Sequence, residues 1–146
     1  MLSGGAIFNN LDYSFTVGHE DGTDATNQAP GGGSAALRRQ LKVLSEFLHG
    51  FDLAKLEPDS LLVARAPGVT VRALSQPGKA HALYAQGRGP TTLWLNLAEG
   101  RWTAEWIAVE DGRVLMRVTV PTTGKGAVAL ASPNFADGVA LRLVRQ

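Results

Sequence analysis

The fold is indicated most clearly by residues 91–109, which read TTLWLNLAEGRWTAEWIAV. Apolar residues alternate with mostly polar ones in two sets, Leu93, Leu95 and Leu97, then Trp102, Ala104 and Trp106. A period of two residues is the side-chain period of a β-strand that buries one face. The pair Glu99-Gly100 between the sets is a turn signal. The stretch therefore predicts two strands, each with one buried face.

The same alternation continues through the rest of the chain from Val69 onward. Turn residues divide this region at Pro77-Gly78, Gly89-Pro90, Glu99-Gly100, Asp111-Gly112 and Gly124 to Gly126. Asp-Gly is the strongest hairpin signal among them. The predicted strands are residues 69–76, 79–87, 91–97, 101–109, 113–120, 126–131 and 138–145. Strands at this spacing predict a mainly β fold, an antiparallel β-sandwich of about seven strands, preceded by a loop-rich segment and one α-helix.

The residues before Val69 have a different character. Residues 11–17 alternate like a half-buried strand, and residues 18–33 are polar and rich in glycine. Ser34 is a typical helix N-cap, and Gly50 is a typical helix stop. The helix predicted between them, residues 35–49, has an apolar stripe formed by Leu37, Leu41, Val43, Leu44, Phe47 and Leu48. One strand and one helix cannot bury a core alone, so this part must pack on the β region or on something else.

Composition narrows the class of protein. The chain has 146 residues, of which 45% are hydrophobic and 18% charged, as in an ordinary globular domain. The formal net charge is +1, and the 14 Lys and Arg residues form no basic stripe, so we expect no nucleic-acid partner. The absence of cysteine excludes disulfides, thiolate nucleophiles and cysteine-based zinc sites. No apolar run approaches the length of a bilayer span, so we expect no membrane partner.

Two stretches resemble bacterial glycoside-hydrolase-like proteins related to the apiosidase group. Residues 2–23 and 37–52 are similar to the end of the catalytic (β/α)8 barrel in these proteins. The β region is similar to their C-terminal module, a family labelled the collagen-binding domain of a collagenase. The motifs that carry this second resemblance are Gly100-Arg101-Trp102, Trp106, Gly112 and Pro133-Asn134-Phe135-Ala136-Asp137. The hairpin motif of that family is shortened here to Val109-Glu110-Asp111-Gly112.

The resemblance implies a domain organisation and a function. Residues 1–66 would be a barrel-end remnant, and residues 67–146 the C-terminal β-sandwich. The chain would be a noncatalytic accessory domain that packs against and stabilises the missing catalytic barrel, with no cofactor. The parent would be a secreted or periplasmic glycoside hydrolase whose export signal lies upstream. The localisation of the fragment itself is left open.

The loop after the predicted first strand contains an acidic cluster, Glu20 and Asp21, flanked by His19. Active sites of barrel enzymes lie at the C-terminal ends of the strands, so the resemblance places these residues near the cleft of the parent. Glycoside hydrolysis needs two carboxylates facing each other about 5–9 Å apart, which adjacent residues cannot supply. At most one would be catalytic, and a solvated turn is the favoured interpretation. We therefore predict no catalytic residue in the chain itself.

The remaining candidates are histidines and aromatic residues. His19, His49 and His81 lack metal-ligand spacing, so we predict no metal site. Trp102 and Trp106 are expected in the core. Trp94 shares a strand face with Thr92 and Asn96, opposite the leucines, and is the best candidate for an exposed ligand-binding aromatic. The predicted ligand-binding set is Trp94, Tyr84 and Asn96.

Two alternative functions stay open. An autonomous module could bind a polysaccharide or a collagen-like protein through Trp94. A complete small enzyme using His19 and Glu20 ranks last, because nothing in the β region pairs an acid with a base. For assembly, we expect the helix to fold back on the sandwich, anchored by Phe47 and Phe51. Residues 1–33 are expected to be poorly ordered or to mediate self-association.

Overall fold

The computed structural model describes residues 17–21, 24 and 35–146. This part contains one α-helix, one short 3-10 helix and nine strands. Helix α1 spans Ala35–His49, and the 3-10 helix spans Leu53–Lys55. The strands are β1 (Glu57–Pro58), β2 (Val63–Arg65), β3 (Val69–Gln76), β4 (Ala80–Gly87), β5 (Thr92–Leu95), β6 (Gly100–Ala108), β7 (Val114–Thr122), β8 (Val128–Ala131) and β9 (Gly138–Arg145).

The strands form two antiparallel sheets. The large sheet has six strands in the order β1-β3-β4-β9-β6-β7, and the small sheet has three in the order β2-β5-β8. The C-terminal strand β9 lies between β4 and β6, so it joins two halves of the large sheet. Short strands β1 and β2 come from the same connector but pair with different sheets.

The main core lies between the two sheets. The small sheet contributes the fully buried Leu93 and Leu95 of β5 to this core. The large sheet contributes Trp102 and Trp106 of β6. All four side chains have no exposed surface. The alternation in residues 91–109 thus places its apolar members in one shared core, which confirms the predicted sandwich.

A second core lies on the other face of the large sheet. Helix α1 covers this outer face with Phe47 and Leu48, both about 8% exposed. Because the helix buries this face too, strand β6 is buried on both sides, and Ile107 is in the second core. The expectation of one buried face for β6 is therefore wrong, since the alternation of β6 does not reveal what covers its other face.

The bounds of the predicted elements agree closely with the structure. The helix and the strands 69–76 and 138–145 have the predicted bounds, and the other strands differ by one or two residues at an end. The short strands β1 and β2 were not predicted; they lie before the expected domain boundary at residue 67 yet pair with both sheets. The strand predicted at residues 11–17 lies outside the described residues, apart from Val17.

Candidate functional site

The docking of α1 is the feature from which the candidate site is built. Phe47 and Leu48 pack on Leu74, Ala82, Ile107 and Ala140 of the large sheet. The rings of Phe47 and Phe51 meet edge to face, with centroids 5.4 Å apart. Both predicted anchors are therefore in place at the C-terminal end of the helix. This apolar contact fixes α1 on the sheet, because an isolated helix of this length is only marginally stable in water.

A charged cluster lies beside the end of α1. Glu105 of β6 is 6% exposed and forms ion pairs with Arg142 and Arg117, which face it from β9 and β7. Burial alone would raise the pKa of the Glu105 carboxyl, but the two guanidinium groups bring it below its usual value. A Cβ on Gly50 would lie 2.8 Å from the Arg142 guanidinium. A side chain at residue 50 would therefore require the Arg142 guanidinium to move aside.

A groove of about 470 Å³ opens between α1 and the outer face of the large sheet. Val43, Leu44 and Phe47 form its helical wall. Ile107 and Val109 are among the residues on the sheet side. The groove is thus apolar where the helix and the sheet approach each other.

Four polar side chains also line the groove: Gln40 of α1, Arg72 of β3, and Tyr84 and Gln86 of β4. Arg72 lies directly across the strand pair from Tyr84. Within the described part of the chain, none of the four makes a side-chain hydrogen bond or ion pair. Their donors and acceptors are therefore available to a bound molecule.

Tyr84 is held in the groove by a glycine on the neighbouring strand. A Cβ on Gly138 would lie 2.5 Å from the Tyr84 hydroxyl oxygen and 2.8 Å from its ring. The phenol thus lies across Gly138 of β9, and the glycine provides the space that the ring occupies.

Gly138→Ala is expected to push the phenol away from β9 and to lower the free energy of unfolding by about 1 kcal/mol, as small overpacking changes do. Urea unfolding of the variant measures this loss. In the Tyr84→Ala background the same substitution should cost nothing, because the clashing ring is absent. An equal cost in both backgrounds would contradict the contact.

A polar chain lies inside the sandwich, away from the groove. The Asp59 carboxylate accepts hydrogen bonds from the backbone N–H groups of Leu61 and Leu62, at 2.9 and 3.0 Å, and from Ser75. The Ser75 oxygen is 2.7 Å from Nδ1 of His81. Since the Ser75 hydroxyl donates to Asp59, Nδ1 of His81 donates to Ser75. The imidazole lies against Trp102, with ring centroids 4.9 Å apart.

This arrangement keeps His81 neutral. Burial lowers its pKa from 6.5 to about 4, and the nearby Asp59 charge only partly opposes that shift. Nε2 of His81 is buried without a hydrogen-bond partner in the described residues. Asp59 also keeps a low pKa; burial would raise it, but the hydrogen bonds from Ser75, Leu61 and Leu62 outweigh that effect. These hydrogen bonds therefore link Asp59, in the connector before β2, to Ser75 and His81 of the β3–β4 hairpin.

The predicted ligand-binding residues do not form one site. Trp94 lies on the outward side of β5 in the small sheet, and the exposed Asn96 follows that strand. Tyr84 lies on the outer face of the large sheet, beside α1. The Arg65 guanidinium lies over the half-buried Trp94 ring, 4.9 Å from its centroid, and the Asn96 amide donates to the Leu61 carbonyl at 2.8 Å. A role of these residues in binding stays a prediction.

The loop candidates His19, Glu20 and Asp21 are all exposed. The Glu20 carboxylate accepts a hydrogen bond from the Gly18 backbone N–H at 3.0 Å. That bond, and a second one from its own N–H, lower the pKa of Glu20 below its usual value. A carboxyl with a lowered pKa is ionised at neutral pH, which suits a base or a nucleophile rather than a general acid. Whether these residues reach a cleft in a parent protein stays a prediction.

The described residues show neither a metal-binding cluster nor a membrane-spanning helix. In residues 17–21, 24 and 35–146, no group of three or more acidic or histidine side chains is placed to hold a metal ion. No helix in the same residues has the length and apolar character needed to span a membrane.

Sequence reasoning missed the groove and both polar clusters. Arg72, Tyr84 and Gln86 occupy outward positions on adjacent strands, but only the register of β3 against β4 shows that Arg72 and Tyr84 are neighbours. One sequence signal could have revealed the two polar clusters. Ser75, His81 and Glu105 are polar residues within predicted strands, and all three are buried in the structure. Such residues in a strand commonly mark a paired cluster.

Comparison with known proteins finds likeness at the level of structure alone. No family model and no curated protein matches the sequence. Several solved structures are similar, among them two glycoside hydrolases. A glycoside hydrolase is 13% identical, with a TM-score of 0.59 over 88% of this chain and 32% of its own. A family 5 glycoside hydrolase from Bacteroides vulgatus ATCC 8482 is 14% identical, with a TM-score of 0.60 over 87% of this chain and 31% of its own. The chain thus spans about a third of these proteins and shares its fold with that third.

Proposed function

We propose that this chain is the noncatalytic accessory part of a larger glycoside-hydrolase-like protein, which packs against the catalytic barrel and stabilises it. The observation that carries the proposal is the extent of the structural match. Nearly the whole chain superimposes on about a third of two glycoside hydrolases. We also propose that the larger protein is related to the apiosidase group and that the β-sandwich corresponds to the module labelled as collagen-binding.

Helix α1 supplies a physical route for such stabilisation. The sequence resemblance assigns this helix to the end of a barrel, and its Phe47 and Leu48 are buried against the large sheet. Most of the stability of a short helix comes from the packing of its apolar face. A sandwich that fixes the closing helix of a barrel would therefore also resist local opening of that barrel.

The purified chain is expected to hydrolyse no aryl glycoside or polysaccharide above the buffer rate. The variant Glu20→Gln should behave identically, because in the wild-type chain the Glu20 carboxylate would have no partner carboxylate across a substrate. Release of 4-nitrophenol from a panel of aryl glycosides measures this directly. Turnover that is lost in Glu20→Gln would contradict the proposal and favour the small-enzyme interpretation.

The stabilising role is tested in the longer protein that the proposal requires. Deletion of residues 57–146 from that protein should lower the unfolding temperature of the remaining barrel and leave the chemistry of its cleft unchanged. A barrel that is equally stable without the sandwich would refute the packing role.

The second candidate function is binding of a polysaccharide or a collagen-like protein through Trp94. Its support is a half-buried tryptophan among polar neighbours on the small sheet. It ranks second because Arg65 already covers one face of the ring and the Asn96 amide donates within the chain. An array of glycans and fibrillar collagens decides: saturable binding that disappears in Trp94→Ala would favour the module, and its absence would favour the accessory role.

A further inference from the structure

The groove beside α1 combines a single charge with an apolar interior. Among the eleven described residues that line it, Arg72 is the only one with a charged side chain, and none is an aspartate or a glutamate. In the described residues Arg72 forms no ion pair, whereas Arg117 and Arg142 on the same sheet face are both paired with Glu105. The groove therefore has an uncompensated positive charge at one place on its wall.

The neutral polar groups extend this preference. The Tyr84 hydroxyl and the Gln40 and Gln86 amides line the same groove as Arg72, and each can donate a hydrogen bond. A guanidinium binds a carboxylate through two parallel hydrogen bonds, which are stronger than neutral ones. Val43, Phe47 and Ile107 supply apolar surface for the rest of a bound molecule.

The size of the groove distinguishes between kinds of occupant. Its volume of about 470 Å³ lies within the range of roughly 300–1,000 Å³ that small-molecule sites have. A stable protein interface uses about 20–30 residues a side, well above the eleven that line this groove. A small molecule therefore fits the groove better than a folded partner does.

We propose that this groove binds a small organic anion that has a carboxylate on an apolar, ring-containing body. The carboxylate pairs with Arg72 and accepts a hydrogen bond from Tyr84 or a glutamine amide. The ring lies between α1 and the sheet, in contact with Val43 and Phe47. This site lies on the opposite sheet from Trp94 and does not depend on the accessory role, so either proposal can fail without the other.

The experiment uses three probes of matched shape: 4-phenylbutyrate, 4-phenylbutanol and 4-phenylbutylamine. Each is titrated into the ¹⁵N-labelled chain while its backbone amide resonances are followed. We expect saturable shifts at Arg72, Tyr84, Gln86 and Val43 with the acid, weaker shifts with the alcohol, and none with the amine.

The charge is tested by Arg72→Gln. A charge-assisted hydrogen bond to the carboxylate should be worth at least about a tenfold change in affinity, so the variant should bind the acid no better than the alcohol. Arg88→Gln is the matched control, because Arg88 is an exposed arginine outside the groove lining. Both substitutions are at exposed positions, and an unchanged amide spectrum of the free protein verifies that the fold is intact.

Three results would overturn the proposal. The first is the absence of saturable shifts with 4-phenylbutyrate at the groove residues. The second is equal binding of the acid and the amine, which would mean that the groove does not select charge. The third is an equal loss of affinity in Arg72→Gln and Arg88→Gln, which would reduce the effect to net charge.

Discussion

Acidification from pH 7 to pH 4 is expected to reduce the free energy of unfolding by about 3 kcal/mol through His81 alone. The pKa of His81 falls from 6.5 to about 4 on folding because the imidazole is buried. Between these values the unfolded chain binds a proton that the folded chain does not, so stability falls as the pH falls. Each pKa unit corresponds to about 1.4 kcal/mol, which gives the expected size. Above pH 6.5 this contribution is complete.

The carboxylates act at lower pH. Asp59 and Glu105 both have lowered pKa values in the folded chain. A carboxyl of this kind contributes stability above its unfolded pKa and loses it as the pH falls through the folded value. Their effect therefore begins at about pH 5, as the unfolded carboxyls, with ordinary pKa values of 3.8 and 4.5, start to take up protons. The interval from pH 6.5 to about 5 isolates the histidine.

Urea unfolding at several pH values between 7.5 and 4.5 tests the expectation. His81→Asn keeps a donor for Ser75 but cannot be protonated in this range, so it should be less stable at pH 7.5 and nearly independent of pH. His49→Asn is the matched control, since His49 is exposed at the end of α1. If the wild-type chain and His81→Asn lose stability in parallel, the imidazole is not the responsible group.

The second large effect is expected from Phe47→Ala, which should lower the free energy of unfolding of the docked helix by about 3 kcal/mol. Phe47 is 8% exposed and packs on the large sheet and on Phe51. Removing a buried phenylalanine typically costs about 3–5 kcal/mol, and partial exposure places this residue at the lower end. Alanine is the better helix former, so any loss reflects packing rather than helix propensity.

Amide hydrogen exchange shows where this loss falls. In Phe47→Ala the amides of α1 should exchange much faster, while those of β6 and β9 keep their protection, because the core between the sheets does not include Phe47. Leu41→Ala, at a half-buried position of the same helix, is the control and should have a smaller effect. Equal loss of protection in both cores would mean that helix and sandwich unfold as one unit.

Local sequence signals were sufficient for the helix and for the seven strands from Val69 onward. The helix at residues 35–49 follows from the spacing of its apolar residues and from Gly50, and the strands follow from turn residues such as Asp111-Gly112. The Gly112 N–H donates to Ala108, and Gly112 adopts a positive φ of 76°, which explains the glycine in that hairpin. The assignment of Trp102 and Trp106 to the core is confirmed for the same reason, since alternation directly encodes the face of a strand.

The candidate site depends on the pairing of strands that are distant in sequence, and this pairing cannot be predicted from local patterns in a single sequence. Tyr84 and Trp94 are only ten positions apart, and the alternation predicts an outward position for both, but their strands belong to different sheets. Nothing in the local pattern states which strands share a sheet. Strands β1 and β2 were missed because two or three residues are too few to establish a period.

The position of β9 at the centre of the large sheet has a consequence for synthesis of the protein. Residues 138–145 are made after the other eight described strands, yet β4 and β6 depend on them for hydrogen bonds. Until this strand leaves the ribosome, each of its two neighbours presents an unpaired edge, and such edges invite pairing between chains. The nascent sandwich therefore stays incomplete until residues 138–145 have been made, even though all the other described strands precede them. Deletion of residues 138–145 would leave two half-sheets and a strong tendency to aggregate.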